Sequence, residues 1–95
     1  MNEDDFYDAL RGRKYVYLVT GGHGGNANIL AYDESHARKI AAERWWTKIR
    51  ACDEVTEAFK RLNNSFTDED SDKLEPGLLR LIFHDSMGGH EWRTS

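Results

Sequence analysis

Three histidines, three aspartates and a run of glycines are the residues of this chain whose types and spacing could do chemistry. His23 lies within Gly21-Gly22-His23-Gly24-Gly25, and His84 and His90 flank a second turn, Asp85-Ser86-Met87-Gly88-Gly89, with Asp85 and Glu91 beside them. Imidazoles and carboxylates gathered by two turns could hold zinc, but such a site needs several convergent ligands with supporting outer partners. The single cysteine, Cys52, is elsewhere, so these histidines read as surface residues and no metal or other cofactor is expected. Asp68, Asp70 and Asp72 begin like a calcium loop, yet Lys73 stands where that loop needs glycine and Leu79 where it needs its last glutamate. A solvated acidic loop accounts for them.

The glycine run follows a strand, as in dinucleotide-binding folds, where a helix must start at once so that its N–H groups meet a pyrophosphate. Only seven residues separate Gly25 from Asp33, too few for that unit, so the run reads as a mobile hairpin loop. No nucleophile, base and orienting group assemble from these motifs. The chain reads as non-enzymatic.

The elements that must position these residues centre on Asp33 to Cys52. Asp33 is suited to cap a helix and Glu34 to meet its positive end. Ala37, Ala41, Trp45 and Ile49, joined by Ile40 and Cys52, form an i, i+4 stripe that predicts one buried helical face and a buried, slowly reacting thiol. Before it, Asn2 to Arg11 carries Phe6, Tyr7 and Leu10 at helical spacing. Lys14 to Thr20 and Ala27 to Tyr32 are rich in β-branched and aromatic residues and predict paired strands. After it, a break near Asp53 starts a second helix with Val55, Ala58, Phe59 and Leu62, since one helix to residue 63 would run ~45 Å, beyond strands of this length. Thr67 to Asp70 has the chemistry of a further short helical start before Pro76-Gly77. Gly77 to His84 predicts a strand with Leu79, Leu81 and Phe83 inward, and His90 to Thr94 an edge strand. The expected fold is α+β in the order α-β-β-α-α-β-β, a single antiparallel sheet of three to four strands packed on one main helix.

Two surfaces of this expected fold could bind a partner. If Trp45 belongs to the buried stripe, Trp46 falls outside it, and Lys39, Glu43, Trp46 and Arg50 at i, i+4, i+7 and i+11 make an outward helix face with an aromatic among charges, the composition of a binding hot spot. The second is the sheet face carrying Tyr15, Tyr17, Val19, Leu30, Tyr32, Arg80 and Ile82. Its tyrosines and Arg80 could stack single-stranded bases, making Tyr15, Tyr17, Tyr32 and Arg80 an alternative nucleic-acid site. The bland alternative is that the first helix, or a second subunit of a homodimer, covers that face.

The string Tyr15-Val16-Tyr17-Leu18-Val19, then Ile29-Leu30-Ala31-Tyr32-Asp33-Glu34-Ser35-His36-Ala37-Arg38-Lys39-Ile40-Ala41, resembles the β-β-α pattern of small phage-encoded proteins, anti-CRISPR inhibitors among them. The resemblance covers about the first half of the chain and carries over no functional residue. It implies a protein that occupies a surface of a host nucleic-acid-targeting complex, a host protein or ribonucleoprotein.

Composition bounds the rest. Ninety-five residues make one domain with one core. Thirteen basic against seventeen acidic residues, a net charge of −4, has the wrong sign for binding nucleic acid over the whole surface. No apolar run approaches a membrane span and no signal peptide is evident, so membranes are excluded as partners and the cytoplasm, that of a host cell for a phage protein, is the expected location.

Overall fold

Tyr15–Gly22 (β1) and Gly25–Ala31 (β2) pair antiparallel, with Tyr15 opposite Ala31 and Val19 opposite Ala27, in a computed structural model that describes residues 12–22, 25–44, 46–50, 53–84 and 88–95. The ladder runs further into the glycine run than its composition predicts. It breaks register between Val19 and Gly22, where Gly21 takes a φ of 82° that an L side chain rarely adopts, and Gly22 still pairs Gly25. A Cβ on Gly21 would also strike Thr47 Oγ1.

Helix α1 spans Glu34–Ala42 and starts as the sequence predicts. Asp33 is extended, and its carboxylate accepts from His36 N at 2.7 Å. The helix then stops one turn past Lys39. Arg44 N and Trp46 N both bond back to Ala41 O, Thr47 N donates to Thr20 O at 3.2 Å, and Lys48–Arg50 forms strand β3 along β1. The expected helix from Asp33 to Cys52 is thus a nine-residue helix, a turn and a strand. Positions 37, 41 and 49 mislead because a spacing of four is in phase with the strand period of 2 as well as the helical 3.6. Ile49, opposite Val19, packs into the α1 core from a strand instead of a helix.

Asp53–Leu62 forms α2 and Asp68–Lys73 forms α3. The latter opens with the capping box expected from Thr67 to Asp70: Asp70 N donates to Thr67 Oγ1 and Thr67 N to Asp70 Oδ2. The acidic run is therefore the first turn of a helix, where carboxylates meet the positive dipole end. Gly77–His84 (β4) meets β2 only at Ile29–Leu78 and Leu30–Gly77, and then pairs Gly89–Thr94 (β5) along its remaining length.

The described residues thus form one α+β sheet in the order β3-β1-β2-β4-β5, antiparallel at every contact, with helices on both sides. Five strands stand where three to four were expected, and the described order is β-β-α-β-α-α-β-β. One face carries Tyr17, Val19, Ile29 and Ala31 against Ala37 and Ala41 of α1. The other carries Val16, Leu30 and Leu79 against Phe59 and Phe66, with Trp92 beside them. Phe59, Phe66 and Trp92 meet edge to face at centroid distances of 5.2–5.5 Å. Among the described residues the buried apolar side chains form two clusters, one on each face of the sheet. The hairpin β4–β5 outruns them: Leu79 is buried and Leu81 half-buried, but Phe83, expected inward, is 69% exposed. The predicted helix from Asn2 to Arg11, together with His23, Trp45, Cys52 and Asp85, lies outside the described residues.

Candidate functional site

A buried hydroxyl sets the shape of an open apolar groove. Val16 points its backbone groups to the side of β1 on which β3 runs, but the β3 ladder reaches only from Thr20 to Leu18. Thr56 of α2, 1% exposed, takes the place of the missing strand: Val16 N donates to Thr56 Oγ1 at 2.9 Å, and Thr56 Oγ1 approaches Val16 O at 3.5 Å. At ~100° per residue the apolar positions of α2 cover an arc from Ala58 through Leu62 and Val55 to Phe59, and Thr56 lies beyond one end of it. Turning Thr56 toward β1 rotates that arc away from the core. Phe59 stays buried, Val55 is half-buried, and Ala58 and Leu62 are exposed, Leu62 by 84%.

The result is a groove of about 460 Å³ between α2 and the sheet. Leu18, Val55, Ala58, Phe59 and Leu62 supply its apolar lining, and Asn28, Asn63, Arg50 and Glu54 its polar rim. Asn63 Nδ2 donates to Phe59 O at 3.2 Å and so closes the last turn of α2. The volume suits a ligand-sized group. The rim holds two amides, Asn28 and Asn63, and two opposite charges, Arg50 and Glu54.

A second concavity is lined by groups that pair among themselves. The basin of about 650 Å³ around Arg13, Lys14 and Lys60 gathers three cations, but Arg13 pairs Glu57 at 3.0 Å and Lys60 pairs Asp68. The Lys60 ammonium holds the Asp68 carboxyl below its ordinary value. Lys14 is buried, donates to Ser71 O at 2.7 Å, and so neutralises the negative end of α3. These cations tie α2 to α3 and both helices to the segment that leads into β1.

The residues read from the sequence fall in separate places. Lys39 and Glu43 are exposed on α1, Glu43 as its C-cap, while Trp46 is half-buried against the α1 core. Arg50 lies on the opposite side of the sheet, in the groove, because it pairs Leu18. The four form no common helix face, since the helix that would align them ends at Ala42. The tyrosine face is likewise divided. Tyr17, 5% exposed, lies beneath α1, and the observed register sets Leu30 on the other face. Tyr15 has the Arg13 guanidinium 5.3 Å over its ring, and Tyr32 stacks on His36 at 5.7 Å. Arg80 stands away on the β4–β5 hairpin, opposite Arg93. The open stacking platform is replaced by a helix-covered core.

His84 and His90 share that hairpin but project from opposite faces of it. His84 Nε2 bonds Glu91 Oε1 at 2.8 Å, and His90 tilts against Phe83. With Arg93 bonding the same Glu91 oxygen at 2.6 Å, the hydrogen bonds from His84 and from Arg93 hold the Glu91 carboxyl below its ordinary value. Among the described residues no three His, Cys, Asp or Glu side chains converge as metal ligands, and no helix is long and apolar enough to cross a membrane.

Comparison with protein-family models, with curated proteins and with solved structures gave no match.

Sequence reasoning missed Leu18, Asn28, Val55, Ala58 and Leu62 as a surface. The available signal was the off-centre Thr56: a hydroxyl at the edge of an apolar stripe must find a partner when buried, and finding it turns the stripe.

Proposed function

We propose that this chain is a non-enzymatic protein-binding module that seats an apolar segment of a protein partner in the groove along α2. The exposure of Leu62 carries the reading. A leucine with 84% of its surface in water, next to Val55, Ala58 and Leu18 in one groove, is an unfilled apolar contact set and not a scattered surface residue. Asn28 and the Oδ1 of Asn63 offer hydrogen bonds to the backbone of an inserted segment, and Arg50 offers a charge-assisted bond to a carboxylate beside its apolar anchors. A direct nucleic-acid role has weaker support, because the tyrosines that motivated it are divided between a buried core and ring contacts of their own.

The narrower proposal, an inhibitor of a host nucleic-acid-targeting complex, rests on the resemblance of the first half of the chain to small phage-encoded proteins. In it, the partner segment belongs to that complex.

Leu62→Lys tests the docking surface. Leu62 is nearly fully solvated, so the variant should melt within about 0.5 kcal/mol of the parent. It should lose at least about 2 kcal/mol of affinity for whatever protein the parent retains. Retention of the same protein at parental strength by the variant would overturn the assignment.

A further inference from the structure

The free edge of β5 matches itself. Leu78 N and Ser95 O, and Ser95 N and Leu78 O, bond each other at 3.0 and 3.1 Å, so this pair exchanges both of its hydrogen bonds. In an antiparallel ladder such pairs alternate with pairs that exchange none. The register from Leu79–Thr94 to His84–Gly89 is unbroken, so Arg93, Glu91 and Gly89 turn their backbone groups toward β4, and Thr94, Trp92 and His90 turn theirs outward. Among the described residues nothing bonds those outward groups. β5 has no proline and no bulge, and the two charged residues it carries, Glu91 and Arg93, are of opposite sign.

We propose that two copies of this chain pair through β5, antiparallel about a two-fold axis at Trp92, extending the sheet across both protomers. The side chains single out this register. With Trp92 opposite its symmetry mate, Glu91, which already bonds Arg93 and His84 of its own protomer, also faces the partner's Arg93, and Arg93 the partner's Glu91, so the intrachain pairs extend into a network of alternating charge across the axis. His90, Trp92 and Thr94 exchange the six outward N–H and C=O groups of each protomer. Trp92, only half-buried in its own core, gains an aromatic neighbour across the axis. A shift of register by two residues in either direction sets Arg93 against Arg93 or Glu91 against Glu91, which is repulsive. The docking groove lies at the other end of the sheet, between α2 and the β1–β3 edge, so this pairing leaves it open and does not rest on its assignment.

Sedimentation of the full chain across the micromolar range tests the pairing. The parent should show a concentration-dependent dimer. His90→Pro deletes an outward N–H in each copy and none that β4 uses, so it should weaken the dimer about tenfold or more while the far-ultraviolet circular dichroism stays parental. Arg93→Glu should weaken it comparably. The charge exchange Glu91→Arg with Arg93→Glu should regain most of that loss, because it restores the opposed pairs; this arm decides the matter even if the proline variant misfolds. A parent that stays monomeric throughout, a well-folded His90→Pro that dimerises like the parent, or an exchange that regains nothing would overturn the proposal.

Discussion

Thr56 should show that a hydroxyl, and not hydrophobic bulk, fastens α2 to the sheet. Thr56→Val keeps the shape and adds apolar surface, yet it strands the buried Val16 N–H, which donates at 2.9 Å, and the Val16 carbonyl at 3.5 Å. An unsatisfied buried backbone group costs ~1–3 kcal/mol. The longer contact to the carbonyl adds less, so the expected loss is about 2–3 kcal/mol. Thr56→Ser keeps the hydroxyl and deletes one buried methyl, for a loss of about 1 kcal/mol. Against a total stability of about 5–15 kcal/mol for a domain, both losses are readable in urea unfolding with an unchanged slope. The order is the test: serine milder than valine, with faster amide exchange at Val16 in the valine variant only. A valine variant as stable as the serine variant, with Val16 still protected, would refute the idea that Thr56 stands in for a strand.

Two further outcomes follow from the β4–β5 hairpin. Trp92→Ala, which removes a ring packed on Phe59 and Phe66 and a bond from Nε1 to Ser65 Oγ at 3.3 Å, should cost about 2–4 kcal/mol in denaturant unfolding, whereas Phe83→Ala should cost under about 0.5 kcal/mol; equal losses would mean that the hairpin tip is packed after all. Glu91 should titrate below the ordinary carboxylate range in carbon-detected resonance spectra, and His84→Ala and Arg93→Ala should each raise its midpoint; a midpoint indifferent to both variants speaks against the pairing. Because the folded carboxyl is the stronger acid, the pairing contributes stability above the unfolded pKa, and that contribution disappears as pH falls through the folded one.

How much of this was legible in the sequence depends on how many physical solutions a pattern admits. The Asp33 cap, the Thr67–Asp70 box and the β1–β2 and β4–β5 hairpins are local chemistry, and all are present in the structure. Ile49 was ambiguous because its spacing from Ala37 and Ala41 fits either period, and pairing along β1 resolved it into a strand. That one element displaced the proposed binding face, since Arg50 followed the strand to the other side of the sheet. Phe83 reads as inward from alternation alone, but alternation gives the face of a strand and not where the body beneath it ends. The groove was hidden because helix rotation depends on a tertiary hydrogen bond, from Val16 to Thr56, forty residues apart in the chain.

The most direct test of the docking groove is photo-crosslinking from a benzophenone side chain placed at position 62, with the same group at Glu57 as control. Glu57 is exposed on the same helix but pairs Arg13, away from the groove. In native extract, position 62 should yield one discrete crosslinked protein that position 57 does not, and adding Ala58→Lys should abolish it. Equal labelling from both positions, or labelling from position 62 that survives Ala58→Lys, would contradict the assignment of the α2 groove as the binding surface.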